Sequence, residues 1–198
     1  MRASKTSIVG VLDFDVDVHT DRRGLFSSPF QGEAFRAALG RPLFPVAQIS
    51  HNRSARGVLR GLHFTAVPPG GAKFFYAVHG RVRDFLVDLR TGSPTFGRWS
   101  EVLLGPDQAR GRYIPPGIGH AFYAEEEDSV MVYVLSREYR AANELALSPR
   151  DPDLGLPFPD EVLLSERDAA APGLAEARDR GLLPEYRDCL EAEEEAWH

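Results

Sequence analysis

The chain has 198 residues, 43% of them hydrophobic and 26% charged, which is enough apolar material for a continuous core in the size range of one domain and argues against a disordered tail or a two-domain enzyme. Its 23 Lys and Arg against 29 Asp and Glu leave a net charge of −6, so no overall positive field draws in nucleic acid. A single cysteine, Cys189, excludes an intrachain disulfide and a cysteine-built metal cage, and no apolar run reaches the roughly 18–20 residues of a membrane span; a cytoplasmic protein without export signal or membrane segment is expected.

From the N-terminus, Leu12–Val18 alternates as a strand, Gly32–Leu39 carries Phe35 and Leu39 four apart as a short helix, and Phe44–Ile49, Lys73–Val78, Val82–Leu89 and Val130–Leu135 read as further strands. Within Val82–Leu89, Phe85, Val87 and Leu89 fall on one face and Asp84, Leu86 and Asp88 on the other. A C-terminal stretch, Gly173–His198, reads as helix interrupted at Pro184. The pattern predicts an all-β fold, one β-sandwich or barrel over residues 10–160 with a helical segment over 161–198, in a single domain spanning 1–198. The four glutamates of Glu191–His198 read as a solvated face.

The densest polar segment is His51–Lys73, HNRSARGVLRGLHFTAVPPGGAK. Strict alternation puts Arg60 and Leu62 on one face and Leu59, Gly61 and His63 on the other, unless a bulge at Gly61 re-aims them into one cavity. A second segment, YIPPGIGHAF, sets Pro115, Gly117 and His120 in the P-x-G-x-x-H spacing of cupins, and Gly57 and His63 in the G-x5-H of the other cupin motif. Metal cupins need further histidine and carboxylate ligands; Thr65 stands where a second histidine belongs and no acid lies between His63 and Asp84, so two ligands remain where three or four are required and no metal is expected. MVYVLSREY supplies Tyr133 and Tyr139, core aromatics by default whose hydroxyls still need partners. In LSERDAAAP, Asp168 reads most simply as a helix cap.

Taken together, DRRGLF, VAQISHNRSARGVLRGLHF, VDLRTGSPTFGRW, YIPPGIGHAF, VYVLSREY and SERDAAAP resemble, in order and spacing, the epimerases of dTDP-4-keto-6-deoxyhexoses, the family that includes dTDP-4-dehydrorhamnose 3,5-epimerase. The resemblance runs from about residue 10 to about residue 185. It implies a cupin-type jelly roll that binds a dTDP-sugar, uses no cofactor, and works in deoxysugar biosynthesis, with an antibiotic pathway expected. By the same resemblance His63 is the general base, Asp168 orients it, Lys73 stabilises the enolate and Tyr133 is the acid; Arg23, Phe26, Gln48, Ser50, Arg60, His120 and Tyr139 contact the substrate. Departures from the family pattern at Ser28, Ser50, Thr65 and Ala121 alter the lining and not the proton-transfer set, and lead to the expectation of a mono-epimerase inverting mainly C5, with 3,5- or C3-epimerisation as alternatives. A metal-dependent cupin oxygenase and a non-catalytic sugar-binding jelly roll are the more distant readings. An exposed N-terminal edge strand at Leu12–Val18 predicts a homodimer formed by edge pairing or exchange.

Overall fold

A computed structural model describes residues 1–197. In chain order its strands are β1 (Arg2–Lys5), β2 (Leu12–Asp15), β3 (Val18–Asp21), β4 (Gly24–Ser27), β5 (Gln48–Ser54), β6 (Leu59–Thr65), β7 (Lys73–His79), β8 (Val82–Asp88), β9 (Trp99–Leu104), β10 (Arg110–Ile114), β11 (Ile118–Ala124), β12 (Ser129–Leu135) and β13 (Glu144–Ala146). The helices are α1 (Gly32–Leu39), α2 (Glu166–Ala169), α3 (Leu174–Asp179) and α4 (Tyr186–Glu195). A six-stranded sheet in the order β1-β2-β10-β7-β12-β5 faces a five-stranded sheet in the order β13-β6-β11-β8-β9, and β3-β4 stands apart as a hairpin. All named pairs are antiparallel, giving the all-β architecture that the alternating pattern predicts and the jelly roll that the resemblance implies.

Period-two alternation decides what each strand packs against. On β7, Phe75 points between the sheets, where it joins Leu86, Ile114, Phe122 and Met131. Its neighbour Phe74 points outward into an aromatic cluster with Phe14, Phe35, Phe44 and Tyr113. On β8, Leu86 goes inward while Phe85 and Val87 go outward, under a cover built from Leu147, Leu154, Ala177 and Leu183. Both faces of the five-stranded sheet are therefore buried, and each fully buried large side chain contributes about 1.5–3 kcal/mol. Helix α1 lies where it was expected; Gly40 ends it in the left-handed conformation, φ 80°, and its N–H closes on the Arg36 carbonyl.

Three expectations are corrected. The stretch Leu12–Val18 is not one exposed edge: β2 ends at Asp15 and lies between β1 and β10, so β1 and β5 are the edges. The strand expected from Phe44 begins at Gln48, because Phe44 leaves the sheet to fill the aromatic cluster. The acidic tail is not wholly solvated: Glu193 accepts a 2.5 Å hydrogen bond from the Tyr113 hydroxyl and pairs with Arg41 at 3.4 Å. His198 lies outside the described residues.

Candidate active site

Between the sheets, at one end, lies a cavity of about 830 Å³. Its walls come from both sheets: Gln48, Ser50 and Asn52 from β5, Lys73 from β7 and Tyr133 from β12, facing Arg60, His63 and Thr65 from β6 and His120 and Phe122 from β11. The loop after β12 contributes Arg137, Tyr139 and Arg140, and β13 contributes Glu144.

Local backbone geometry explains why both Arg60 and His63 reach this cavity. His63 pairs with His120 and Arg60 with Phe122, so three steps on β6 match two on β11, and the register shifts between them. This is the bulge that the glycine suggested; one extra residue reverses the parity and puts the two side chains on one face. Gly61 sits in it at φ +120°, with no room for a Cβ.

His63 Nε2 lies 2.6 Å from Asp168 Oδ1, and the other carboxylate oxygen accepts the Gly61 N–H at 3.3 Å. Asp168 is 3% exposed. It is not the helix cap: Ser165 caps α2, its hydroxyl accepting the Asp168 N–H, which frees the Asp168 carboxylate for His63. Burial alone would raise the Asp168 pKa, but the bond to His63, its charge, and the bonds from Gly61 and Ser165 hold it below the usual carboxylate range. An ionised carboxylate only accepts, so His63 Nε2 carries a proton and Nδ1 holds the free lone pair.

Tyr133, on the opposite wall, accepts a 3.0 Å hydrogen bond from Asn52 Nδ2. Burial pushes its hydroxyl well above the ordinary value, against the lowering effects of Asn52 and Arg60, so it stays protonated at neutral pH. Lys73 Nζ is 3.8 Å from Glu144 Oε2, while the Thr65 hydroxyl donates to Glu144 Oε1 at 2.6 Å. His120 stacks on Phe75 with ring centroids 4.3 Å apart and is held through Nε2 by the fully buried Asp84 at 2.5 Å. Asp84 in turn accepts from Arg112 at 2.8 Å, and Arg112 also donates to Asp13 at 2.7 Å. Gln48 donates to the Ser50 hydroxyl at 2.7 Å and accepts the Tyr139 N–H at 2.8 Å.

Of the residues read as functional from sequence, His63, Lys73, Tyr133, Gln48, Ser50, Arg60, His120 and Tyr139 line the one cavity, and Asp168 stands directly behind His63. Arg23 and Phe26 are not among them. They sit on the β3-β4 hairpin, where Arg23 pairs with Asp21 at 2.5 Å and Phe26 is 67% exposed. Asn52, Glu144 and Asp84 were missed. Asn52 has a signal in hindsight, standing at period two from Gln48 and Ser50, whereas Glu144 reaches the cavity only through the pairing of β13 with β6. Among the described residues no three His, Cys, Asp or Glu side chains converge as a metal site.

A family model described as dTDP-4-dehydrorhamnose 3,5-epimerase matches residues 5–176. The dTDP-4-dehydrorhamnose 3,5-epimerase of Mycolicibacterium smegmatis is 44% identical over 189 residues, covering 96% of this chain and 94% of that protein. The crystal structure of NovW, a 4-keto-6-deoxy sugar epimerase from the novobiocin biosynthetic gene cluster of Streptomyces spheroides, superposes with a TM-score of 0.91 at 43% identity, covering 96% of this chain and 95% of that one. The structure of ChmJ, a 3'-monoepimerase from Streptomyces bikiniensis in complex with dTDP-quinovose, gives a TM-score of 0.91 at 43% identity over 99% of this chain and 98% of that one.

Proposed function

The chain belongs to the dTDP-4-dehydrorhamnose 3,5-epimerase family and is an isomerase of dTDP-4-keto-6-deoxyhexoses, and from that premise we propose how its residues share the reaction. His63 Nδ1 takes the proton from a carbon next to the C4 ketone, and the electron pair of that C–H bond moves to the C4 oxygen as an enolate. The Lys73 ammonium neutralises the developing oxyanion. The Tyr133 hydroxyl then protonates the carbon from the opposite face, and solvent restores both groups. The observation that carries this reading is His63 on one sheet, 2.6 Å from Asp168 of α2, lining a single cavity with Tyr133 on the other sheet. Arg60 is assigned to the diphosphate, whose oxygens suit a guanidinium fork, and Tyr139 at the mouth to the nucleotide or sugar.

The departures at Ser28, Ser50, Thr65 and Ala121 favour C5. Of the two relatives above whose names give carbons, the Mycolicibacterium smegmatis enzyme names carbons 3 and 5 and ChmJ names carbon 3, which supports inversion at C3, alone or together with C5. The reading proposed is that C3 is inverted, with C5 as the alternative position. Incubation with dTDP-4-keto-6-deoxyglucose in deuterated water, followed by NMR, tests both: stereo-inverting deuterium at C3 supports the proposal, inversion confined to C5 restores the sequence-level expectation, and no wash-in at either carbon overturns the epimerase chemistry. NovW's place in an antibiotic cluster supports a role in antibiotic deoxysugar biosynthesis; the buried, unpaired Cys189 supports a cytoplasmic setting.

A homodimer belongs to the same proposal. The hairpin bearing Arg23 and Phe26 does not reach the large cavity of its own chain, and the outward face of edge strand β5 leaves Ile49 66% exposed. Both features are accounted for if a second copy covers them and receives the hairpin at its own cavity mouth.

A further inference from the structure

Strand β5 turns Ser50, Asn52 and Ser54 toward the cavity side and Ile49, His51 and Arg53 toward the outside. Along that inner row runs a hydrogen-bond chain with a fixed direction. Arg60 Nε can only donate, and it donates to Ser54 Oγ at 3.1 Å. The Ser54 hydroxyl hydrogen then goes to Asn52 Oδ1 at 3.3 Å, which turns the Asn52 amide nitrogen to the Tyr133 oxygen at 3.0 Å. Tyr133 therefore receives a hydrogen bond where it could have given one. Among the described residues its hydroxyl has no acceptor of its own, so its hydrogen is left for the cavity.

We propose that Asn52 is the positioning residue of the proton donor: it holds the Tyr133 hydroxyl hydrogen toward the substrate carbon and, through Ser54, links it to the guanidinium that receives the diphosphate. This rests on reading Tyr133 as the acid. Each link polarises the next, so an anion on Arg60 and the negative charge left on Tyr133 after proton transfer are felt along one chain. The arrangement bears on the second half of the reaction only. Abstraction needs His63 and Lys73; inversion needs in addition a proton delivered from the other face.

The two halves separate in deuterated water. His63, having taken the proton, exchanges it with solvent and can return deuterium to the same face, which gives wash-in without inversion. The ratio of inversion to total wash-in thus reports delivery by Tyr133 independently of how much folded enzyme or base is present. In Asn52→Leu, similar in size but without hydrogen-bonding groups, the ratio is expected to fall about tenfold or more, the worth of one hydrogen bond to the donor, while wash-in stays within about threefold of wild type. Asn52→Asp should lower the ratio further, since a carboxylate accepts the Tyr133 hydrogen and draws it out of the cavity. Ser54→Ala, which leaves the amide in place but unanchored, should give a smaller fall in the same direction.

Tyr133→Phe run beside them separates the two layers of the argument. If it abolishes inversion while Asn52→Leu and Asn52→Asp leave the ratio unchanged, the role of Asn52 is refuted and the acid stands. If Tyr133→Phe itself inverts normally, the assignment of the acid fails first. A fall of wash-in and inversion in step in the folded Asn52 variants also overturns the proposal, because Asn52 would then serve the cavity as a whole.

Discussion

At Gly61 the backbone and the chemistry depend on the same absent side chain. A Cβ there would stand 2.5 Å from the His120 carbonyl and 2.6 Å from Ala121 Cα, both backbone atoms that cannot move aside, at a φ of +120° that an L side chain rarely adopts. Gly61→Ala should therefore cost roughly 2 kcal/mol or more, read as a lower urea midpoint. Because the bulge aims His63, the surviving folded enzyme should lose turnover out of proportion to its binding of dTDP. His63→Ala should remove essentially all turnover and leave dTDP affinity within a few-fold by calorimetry; wild-type wash-in by this variant would refute the base. Asp168→Asn should lower turnover by roughly 10²–10⁴, because an amide no longer fixes the ring tautomer. That His63 and Tyr133, the proposed base and acid, line one cavity was legible in the sequence because their motifs are contiguous. Asn52 showed only its period-two spacing from Gln48 and Ser50, its bond to Tyr133 being set by β12 laid beside it, and Glu144 showed nothing until β13 is paired with β6 at Thr65.

Among the elements, α4 departs most from what its sequence suggests. A run of glutamates looks like a wet surface, yet its second member, Glu193, turns inward to Tyr113 and Arg41, and Trp197 just beyond it stacks on the Arg41 guanidinium at 3.6 Å and donates to the Pro42 carbonyl at 2.7 Å. Burial raises the Glu193 pKa, opposed by the Tyr113 bond and Arg41. A carboxyl whose folded pKa is raised binds its proton more tightly in the native state, so the native state is favoured at low pH and stability is lost as pH climbs from the unfolded value near 4.3 through the folded one. Glu193→Gln keeps an acceptor for Tyr113 and cannot ionise. Urea titrations from pH 4.5 to 7.5 should show a flatter decline in this variant; an unchanged slope would mean that the carboxylate is fully compensated. Asp168 has the opposite sign: its lowered pKa adds stability above about 3.9, lost as pH falls through the folded value. Helix α1 was legible to its ends because Phe35 and Leu39 sit four apart before a glycine stop. The inward turn of Glu193 was not, because what decides it is a tyrosine 80 positions away.

For the whole molecule, the alternating pattern was sufficient to read a sandwich or barrel, and the resemblance to read two sheets around a cavity. It did not show that the outer face of the five-stranded sheet is sealed, because the sealing residues, Leu147, Leu154, Ala177 and Leu183, are scattered through turns and short helices without a period. Nor could one chain's pattern say where the hairpin points. If Arg23 and Phe26 serve a neighbour, mixing inactive His63→Ala with an inactive Arg23→Ala, Phe26→Ala double variant should recover about a quarter of wild-type activity, since half the dimers are mixed and each mixed dimer has one intact site. No recovery after subunit exchange, or a monomer at micromolar concentration by light scattering, would remove the shared site.

The bond between His63 and Asp168 also sets a schedule. His63, the proposed base, lies in β6, but its carboxylate is 105 residues further along, in the cover laid over the sheet from outside, whereas His120 finds Asp84 only 36 residues away within the sheets. A nascent chain can thus complete β6, β8 and β11 while the carboxylate is still unmade. At roughly 5–20 residues per second, the roughly 44 residues from the end of β11 to Asp168 take a few seconds to translate. Through that interval first β12, which joins β7 to β5, and then the covering layer are still being made, and His63 has no carboxylate to fix its tautomer until the last quarter of the chain has docked.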